Sequence, residues 1–323
     1  MLSYIFKTFS GCGVFEKGVI LIKSWHYALT VFLGGCCYGM LSTIVKLAYS
    51  AGFPSSVVTG AQYFFGTIFI WSLVLVTKAK KLTLKQALKL LASGIPFGLT
   101  GTFYYQSLQT LNASLAIIFL FQFVWIGTLV DWIFNKKKPT KGKLVSISIL
   151  IAGSALAANI FSGQRAVLSW QGILWGMLSA LTFTTFILLS GSVEKNVPPV
   201  VRSALFATGA LIVVFLLFPP SFLFNFPVLF RLMPYGLLLG LFGVVLPPLL
   251  FSIGMPHVGP GLGTILPASE LPVAIIMSSI VLAEHVSWTQ WLGVFLILTG
   301  IICGNIRHKK SRVDANGIEV SLP

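Results

Sequence analysis

The chain has 323 residues, of which 56% are hydrophobic and only 9% charged, with a formal net charge of +15. A soluble domain carries about 25% charged residues, so the composition excludes a soluble enzyme or a nucleic-acid-binding domain and predicts an all-α membrane protein. The surplus of Lys and Arg is then an orientation signal facing an anionic leaflet rather than the footprint of an anionic polymer.

In chain order, residues 1–25 come first. Leu2 to Phe15 is apolar and small, but Lys7 and Glu16 interrupt the run and no cleavage site follows. This segment reads as N-terminal interfacial or disordered chain rather than a signal peptide. Ten apolar stretches follow, each of about 20 residues, enough to cross a hydrocarbon core of about 30 Å. They cover 26–49, 55–77, 87–110, 112–134, 143–161, 170–193, 200–218, 233–255, 261–283 and 288–306. Their connections are short, so no soluble domain is inserted. Residues 307–323 read as a basic, then polar, cytoplasmic tail.

With the N-terminus placed inside, the inner side collects Lys78, Lys80, Lys81, Lys85 and Lys89. It also collects Lys136, Lys137, Lys138, Lys141 and Lys143, together with Lys195, Arg202, Arg307 and Lys309. The outer side keeps only Arg165 and Arg231. That asymmetry predicts a multi-pass protein of the cytoplasmic (plasma) membrane with both termini cytoplasmic.

The chain also repeats itself. Ser24-Trp25-His26 precedes Phe53-Pro54 at the spacing with which Ser169-Trp170-Gln171 precedes Pro198-Pro199. Ala113-Ser114-Leu115 opens a stretch carrying Gln122, and Pro260-Gly261-Leu262 opens one carrying Glu270. The shift is roughly 145 to 148 residues, which predicts five-helix repeats over 26–161 and 162–306. An odd number of spans per repeat makes the second copy inverted, the arrangement in which transporters place a site at the repeat interface, around a central cavity.

Few residues offer chemistry. Cys12, Cys36, Cys37 and Cys303 and the four histidines lack metal-ligand spacing, and neither a metal nor a cofactor is expected. A charged side chain mid-helix costs about 2.5–3.5 kcal/mol on insertion scales, so it usually faces a cavity or a partner. Glu270 lies mid-span between Pro267 and Pro272, with Pro247 and Pro248 interrupting the preceding span. Each proline frees a backbone carbonyl. A polar cavity and a structural bond from Glu270 to such a carbonyl both fit the sequence. Asp131, near the inner end of its span, reads as a surface ion pair with the lysines that follow. Lys46 lies near an outer span end, on one stripe with Tyr38 and Ser42. Thr100, Tyr104 and Ser107 share a face of the third span, Gln122 and Trp125 stand three apart on the fourth, and Thr182, Thr185 and Phe186 line the sixth. Singly these are packing residues; as a set, Glu270, Gln122, Tyr104, Trp125, Lys46 and Ser107 are the candidates for substrate binding or coupling.

The order of several short motifs carries a resemblance. These are Tyr38-Gly39 with Lys46, Pro54, Tyr105-Gln106-Ser107-Leu108, Asn112-Ala113-Ser114-Leu115, Glu270-Leu271-Pro272, Glu284, and Gln290-Trp291-Leu292-Gly293 leading to Gly300. Over about residues 26–306 the chain resembles ten-span members of the drug/metabolite transporter superfamily of the EamA type. The resemblance implies two inverted five-helix repeats and a permease moving small organic metabolites without ATP, often exporting amino acids or related compounds. Two departures stand out: Gln62 replaces an arginine often found there, and Lys136 stands where the second copy has Glu284.

The expectation is therefore a secondary transporter working by alternating access, with a small-molecule metabolite and the lipid bilayer as partners, no nucleic acid, and a homodimer left open. The alternative is a membrane-embedded enzyme acting on lipid-linked substrates, against which stands the lack of an acid–base pair or metal cluster in the sequence.

Overall fold

A computed structural model describes residues 20–77, 82–111, 113–136, 139–157, 169–283 and 286–308, and among the described residues it is helical with no strand. Lipid offers backbone groups no water, so an apolar chain satisfies its N–H and C=O groups within helices. The α-helices are α1 (Ile20–Gly39), α2 (Leu41–Ser50), α3 (Ser55–Val76), α4 (Leu84–Thr110) and α5 (Ala113–Phe121). They continue with α6 (Phe123–Asn135), α7 (Lys141–Ala157), α8 (Trp170–Ser192), α9 (Pro199–Leu217) and α10 (Phe226–Leu239). The last three are α11 (Leu246–Gly263), α12 (Glu270–Val281) and α13 (Trp288–His308).

Seven helical stretches among the described residues are long and apolar enough to cross a membrane. The protein is thus an all-α, multi-pass membrane protein. The expected spans at 87–110, 143–161 and 288–306 are helical as α4, α7 and α13 but fall outside those seven. Leu75, Phe224 and Trp288 are more than 80% exposed, as side chains facing lipid would be. Trp170 and Trp288, which start α8 and α13, sit where interfacial tryptophans anchor spans.

Local signals set the boundaries. Pro54 precedes α3, and Pro198 precedes α9, where Pro199 takes the first helical position, where its missing N–H costs nothing. Thr83 and Gln86 close a capping box on α4, and Ser169 caps α8. The first expected span is broken at Met40 between α1 and α2. The eighth is one apolar stretch, Phe226–Gly259, whose interruption lies ahead of Pro247 and Pro248 as a π-helical turn, Gly240–Val245. Pro247 and Pro248 cannot donate to the carbonyls of Gly243 and Val244, and the ladder shifts register there. Leu246 N–H bonds instead to Leu241 O, five residues back.

The packing is reciprocal. Helix α4 lies along α8 and α9, while α11 lies along α1 and, through the π turn, against α3. Helix α7 pairs with α13, joined by a Ser146 hydroxyl that donates to the Gly300 carbonyl at 2.6 Å. The Asp131 carboxylate meets Lys143 of α7 at 3.6 Å, the ion pair its position predicts, but both side chains are largely covered. Arg202 departs from expectation. Instead of joining the inner-side surface charges it is 1% exposed, donating to the carbonyls of Ser252 at 3.0 Å and of Ser190, so that it ties α8, α9 and α11 together. Those carbonyls reward a guanidinium, whose fork reaches two acceptors at once. Of the other sequence expectations, those on Arg165, Glu284, residues 1–19 and residues 309–323 lie outside the described residues.

Candidate functional site

Glu270 owes its position to small residues on α1. A Cβ on Gly35 would come within 2.8 Å of Pro267 backbone, and one on Gly39 would run into the carbonyl oxygen of Glu270. Glycine at both places lets α1 lie directly on the backbone of the segment that carries the carboxylate. That segment is not α-helical at first. Helix α11 passes a left-handed Gly259 (φ 73°), and a 3-10 turn, Leu266–Ser269, leads into α12 at Glu270. The Ser269 hydroxyl donates to the Phe32 carbonyl at 2.7 Å, fastening the turn to α1. Pro267 falls within the first two residues of that turn, where a missing N–H is tolerated.

Glu270 then lines a cavity between α1, α2, α3, α4, α5, α8 and α12. Tyr38, Tyr63, Tyr104 and Tyr105 line it, with Gln62, Thr100, Phe97 and Phe183. Several of the polar side chains are held by hydrogen bonds. Tyr105 donates to Gln62 Oε1 at 2.7 Å, Tyr63 to the Phe97 carbonyl at 2.9 Å, and Thr100 to Thr182 at 3.0 Å. The Tyr38 hydroxyl is buried and has no hydrogen-bond partner among the described residues. The Glu270 carboxylate makes no hydrogen bond or ion pair among the described residues. Aromatic packing backs the lining: Phe183 meets Tyr38 at 5.6 Å and Phe123 at 4.9 Å between ring centres, and Phe97 stacks on Phe186 at 4.6 Å.

Of the residues singled out in the sequence, the cavity brings together Glu270 and Tyr104, with Tyr38, Ser42 and Thr100 beside them. The other four lie outside its lining. Gln122 donates to Ile118 O at 2.9 Å and accepts from Trp125 Nε1 at 2.6 Å, so this pair is satisfied on its own helix. Ser107 is fully buried and donates back to Tyr104 O at 2.8 Å. Lys46 lies one turn beyond Ser42, outside the lining. Gln62, Tyr63, Phe97 and Phe183 were not among the expected lining. Gln62 was visible only as a departure from the family pattern, and the rings sit in helices too uniformly apolar for periodicity to show an inner face.

The comparisons agree with this architecture. The model of the EamA-like transporter family matches residues 25–159 and again 170–305. The chain belongs to the EamA-like transporter family. That membership takes the chain out of the lipid-enzyme class, since its family is one of transporters. One curated relative, an uncharacterized transporter YwfM of Bacillus subtilis (strain 168), is 24% identical over 191 residues. The match covers 58% of this chain and 62% of that relative's length. A solved structure, described simply as the crystal structure of a protein, shares the fold with a TM-score of 0.69 and 15% identity, covering 87% of this chain and 99% of the other.

Proposed function

We propose that this protein is a secondary transporter of the plasma membrane that moves a small organic metabolite by alternating access, without nucleotide hydrolysis. The family resemblance makes export of an amino acid or a related compound the expected task. The observation that carries the reading is the cavity: it draws on helices from both halves of the chain, holds a Glu270 carboxyl with no hydrogen-bond or ion-pair partner among the described residues, and is lined by aromatic rings. A ground state with a carboxylate held ready in the membrane interior is costly for packing alone and useful for binding or coupling.

Two inverted copies, 26–161 and 162–306, are part of the same proposal, with ten spans and both termini cytoplasmic. The two matches to one family model and the reciprocal packing of α4 and α11 support it. So do the lysine clusters, which alternate with nearly uncharged connections. Broken backbone around Glu270 fits a site at the interface of the copies.

Purified protein in liposomes tests the mechanism class. Uptake of its metabolite with no ATP on either side is expected, and strict dependence on ATP would refute it. The metabolite is found by comparing media from cells with and without the gene. For topology, single cysteines at Ser162 and Asn225 in a cysteine-free background are expected to react with an impermeant thiol reagent in intact cells, and one at Lys138 is not. The reverse labelling would overturn the orientation.

A further inference from the structure

We infer that the cavity selects small organic amines that carry a positive charge and no carboxylate. This rests on the transport reading and narrows its expected task, from amino acids and related compounds to the amines among them that lack a carboxylate. Among the described residues Glu270 is the only acid in the lining, and no Lys, Arg or His lines the cavity. The same lining holds the rings of Tyr38, Tyr63, Tyr104 and Tyr105. A carboxylate and electron-rich ring faces attract the same thing, a desolvated cation. The Tyr38 hydroxyl adds to this: it belongs to a residue of the lining, is buried, and has no hydrogen-bond partner among the described residues, so an ammonium N–H reaching it would satisfy an oxygen that now lacks a partner.

A zwitterionic amino acid brings the same ammonium together with an anion, and the cavity offers that anion little. It would sit near Glu270 and between ring faces, both of the same electrostatic sign. The Gln62 amide does not come to its aid. Its oxygen accepts from Tyr105, and its nitrogen lies against Gly243 of the π turn, where even a Cβ would crowd it. The donors that the tyrosines add to the lining are neutral hydroxyls, too weak to offset a like charge close by. Discrimination therefore comes from the missing basic group as much as from the acid.

A matched series of probes tests this, built on one ring and side-chain length: phenethylamine (cation only), phenylalanine (zwitterion) and phenylacetate (anion only). Calorimetric titration of purified protein reads binding, and uptake into proteoliposomes over protein-free liposomes reads transport. Phenethylamine is expected to bind at least about tenfold tighter than phenylalanine, with phenylacetate weakest, a factor well within what one unpaired charge decides. Glu270→Gln is expected to cost phenethylamine at least about tenfold, and Tyr38→Phe about two- to fivefold. Normal elution on gel filtration checks that both variants are folded. Equal or tighter binding of phenylalanine, undiminished amine binding by Glu270→Gln, or no binding of any probe would each overturn the inference. If phenylalanine wins and is transported, the transport reading stands while this inference falls. If phenethylamine binds as expected yet is never carried across, the site is as inferred and the transport reading falls.

Discussion

In the first half the chain passes from α5 to α6 at Gln122; in the second it passes from a 3-10 turn into α12 at Glu270, 148 residues later. Both positions interrupt a membrane helix and both carry a polar side chain of similar length. Gln122 turns inward on its own helix, bonded to Ile118 O and Trp125. Glu270 has no such local partner among the described residues and lines the cavity. The backbone around them explains the difference. Gln122 follows an ordinary α-helical stretch whose carbonyls are within reach. Glu270 follows a 3-10 turn fastened to α1 by Ser269, with the glycine face of α1 pressed against its own backbone. Related positions in a repeated chain thus serve different ends, depending on whether the helix next to them satisfies the side chain or leaves it to a ligand.

The contrast breaks most completely if α1 and α12 are forced apart. Gly39→Leu puts a branched side chain where the Glu270 carbonyl lies, and overpacking of this kind costs about 1–3 kcal/mol. Transport is expected to be abolished and the unfolding temperature in detergent lowered, whereas a similar change on the lipid-facing Leu75 leaves both unaltered. Glu270→Gln comes next: it keeps shape and stability but removes the charge, and transport is expected to fall at least about tenfold in initial-rate assays, with any dependence on pH carried by this group lost. Gln122→Leu is expected to change transport less than about twofold and to cost about 1 kcal/mol of stability, the value of a buried hydrogen bond. A transport loss there matching that of Glu270→Gln would show that both halves serve the site.

The smallest effect lies outside the membrane. Glu194, in the turn after α8, accepts from Gln86 at 3.1 Å and pairs with Lys89 at 3.2 Å, linking that turn to the start of α4. The Gln86 hydrogen bond first, then Lys89, holds its carboxyl below the usual 4.5. A depressed native value means that its contribution is complete above about pH 4.5 and is lost as pH falls through the lower native value. Thermal unfolding of wild type against Glu194→Gln is expected to show a small gap at pH 7 that closes in strong acid. A gap that stays constant across that range would remove the carboxylate from the account.

Much of the scaffold was legible in the sequence because hydrocarbon length and apolar runs are blunt signals. Pro54 and Pro198 stand at the helix starts they suggest, and Glu270 stood out because a mid-span acid needs a reason. What the sequence hid was direction. In a helix that is apolar on every side, nothing tells an inward Phe183 from an outward Leu181. Spacing placed Gln122 and Trp125 on a shared face with no hint that they would bond each other rather than face the cavity. Proline positions likewise announced a break without saying where it would fall. The break at Pro247 and Pro248 is expressed one turn earlier, at Gly240–Val245, because the carbonyls they abandon lie four residues back.

Arg202 has a consequence for how the protein is made. Its acceptors belong to Ser190, already synthesised when α9 enters the bilayer, and to Ser252, which is not. A guanidinium in a newly inserted helix is expensive, and α9, with a mean hydropathy of 2.3, is the most apolar of the seven spans. Its place three residues after the helix start lets it wait at the interface while α10 and α11 follow. Only when α11 docks does the second carbonyl arrive and the arginine close over. The bundle therefore has a built-in order of assembly, in which a chain stopped before α11 leaves the buried Arg202 without one of its two carbonyls.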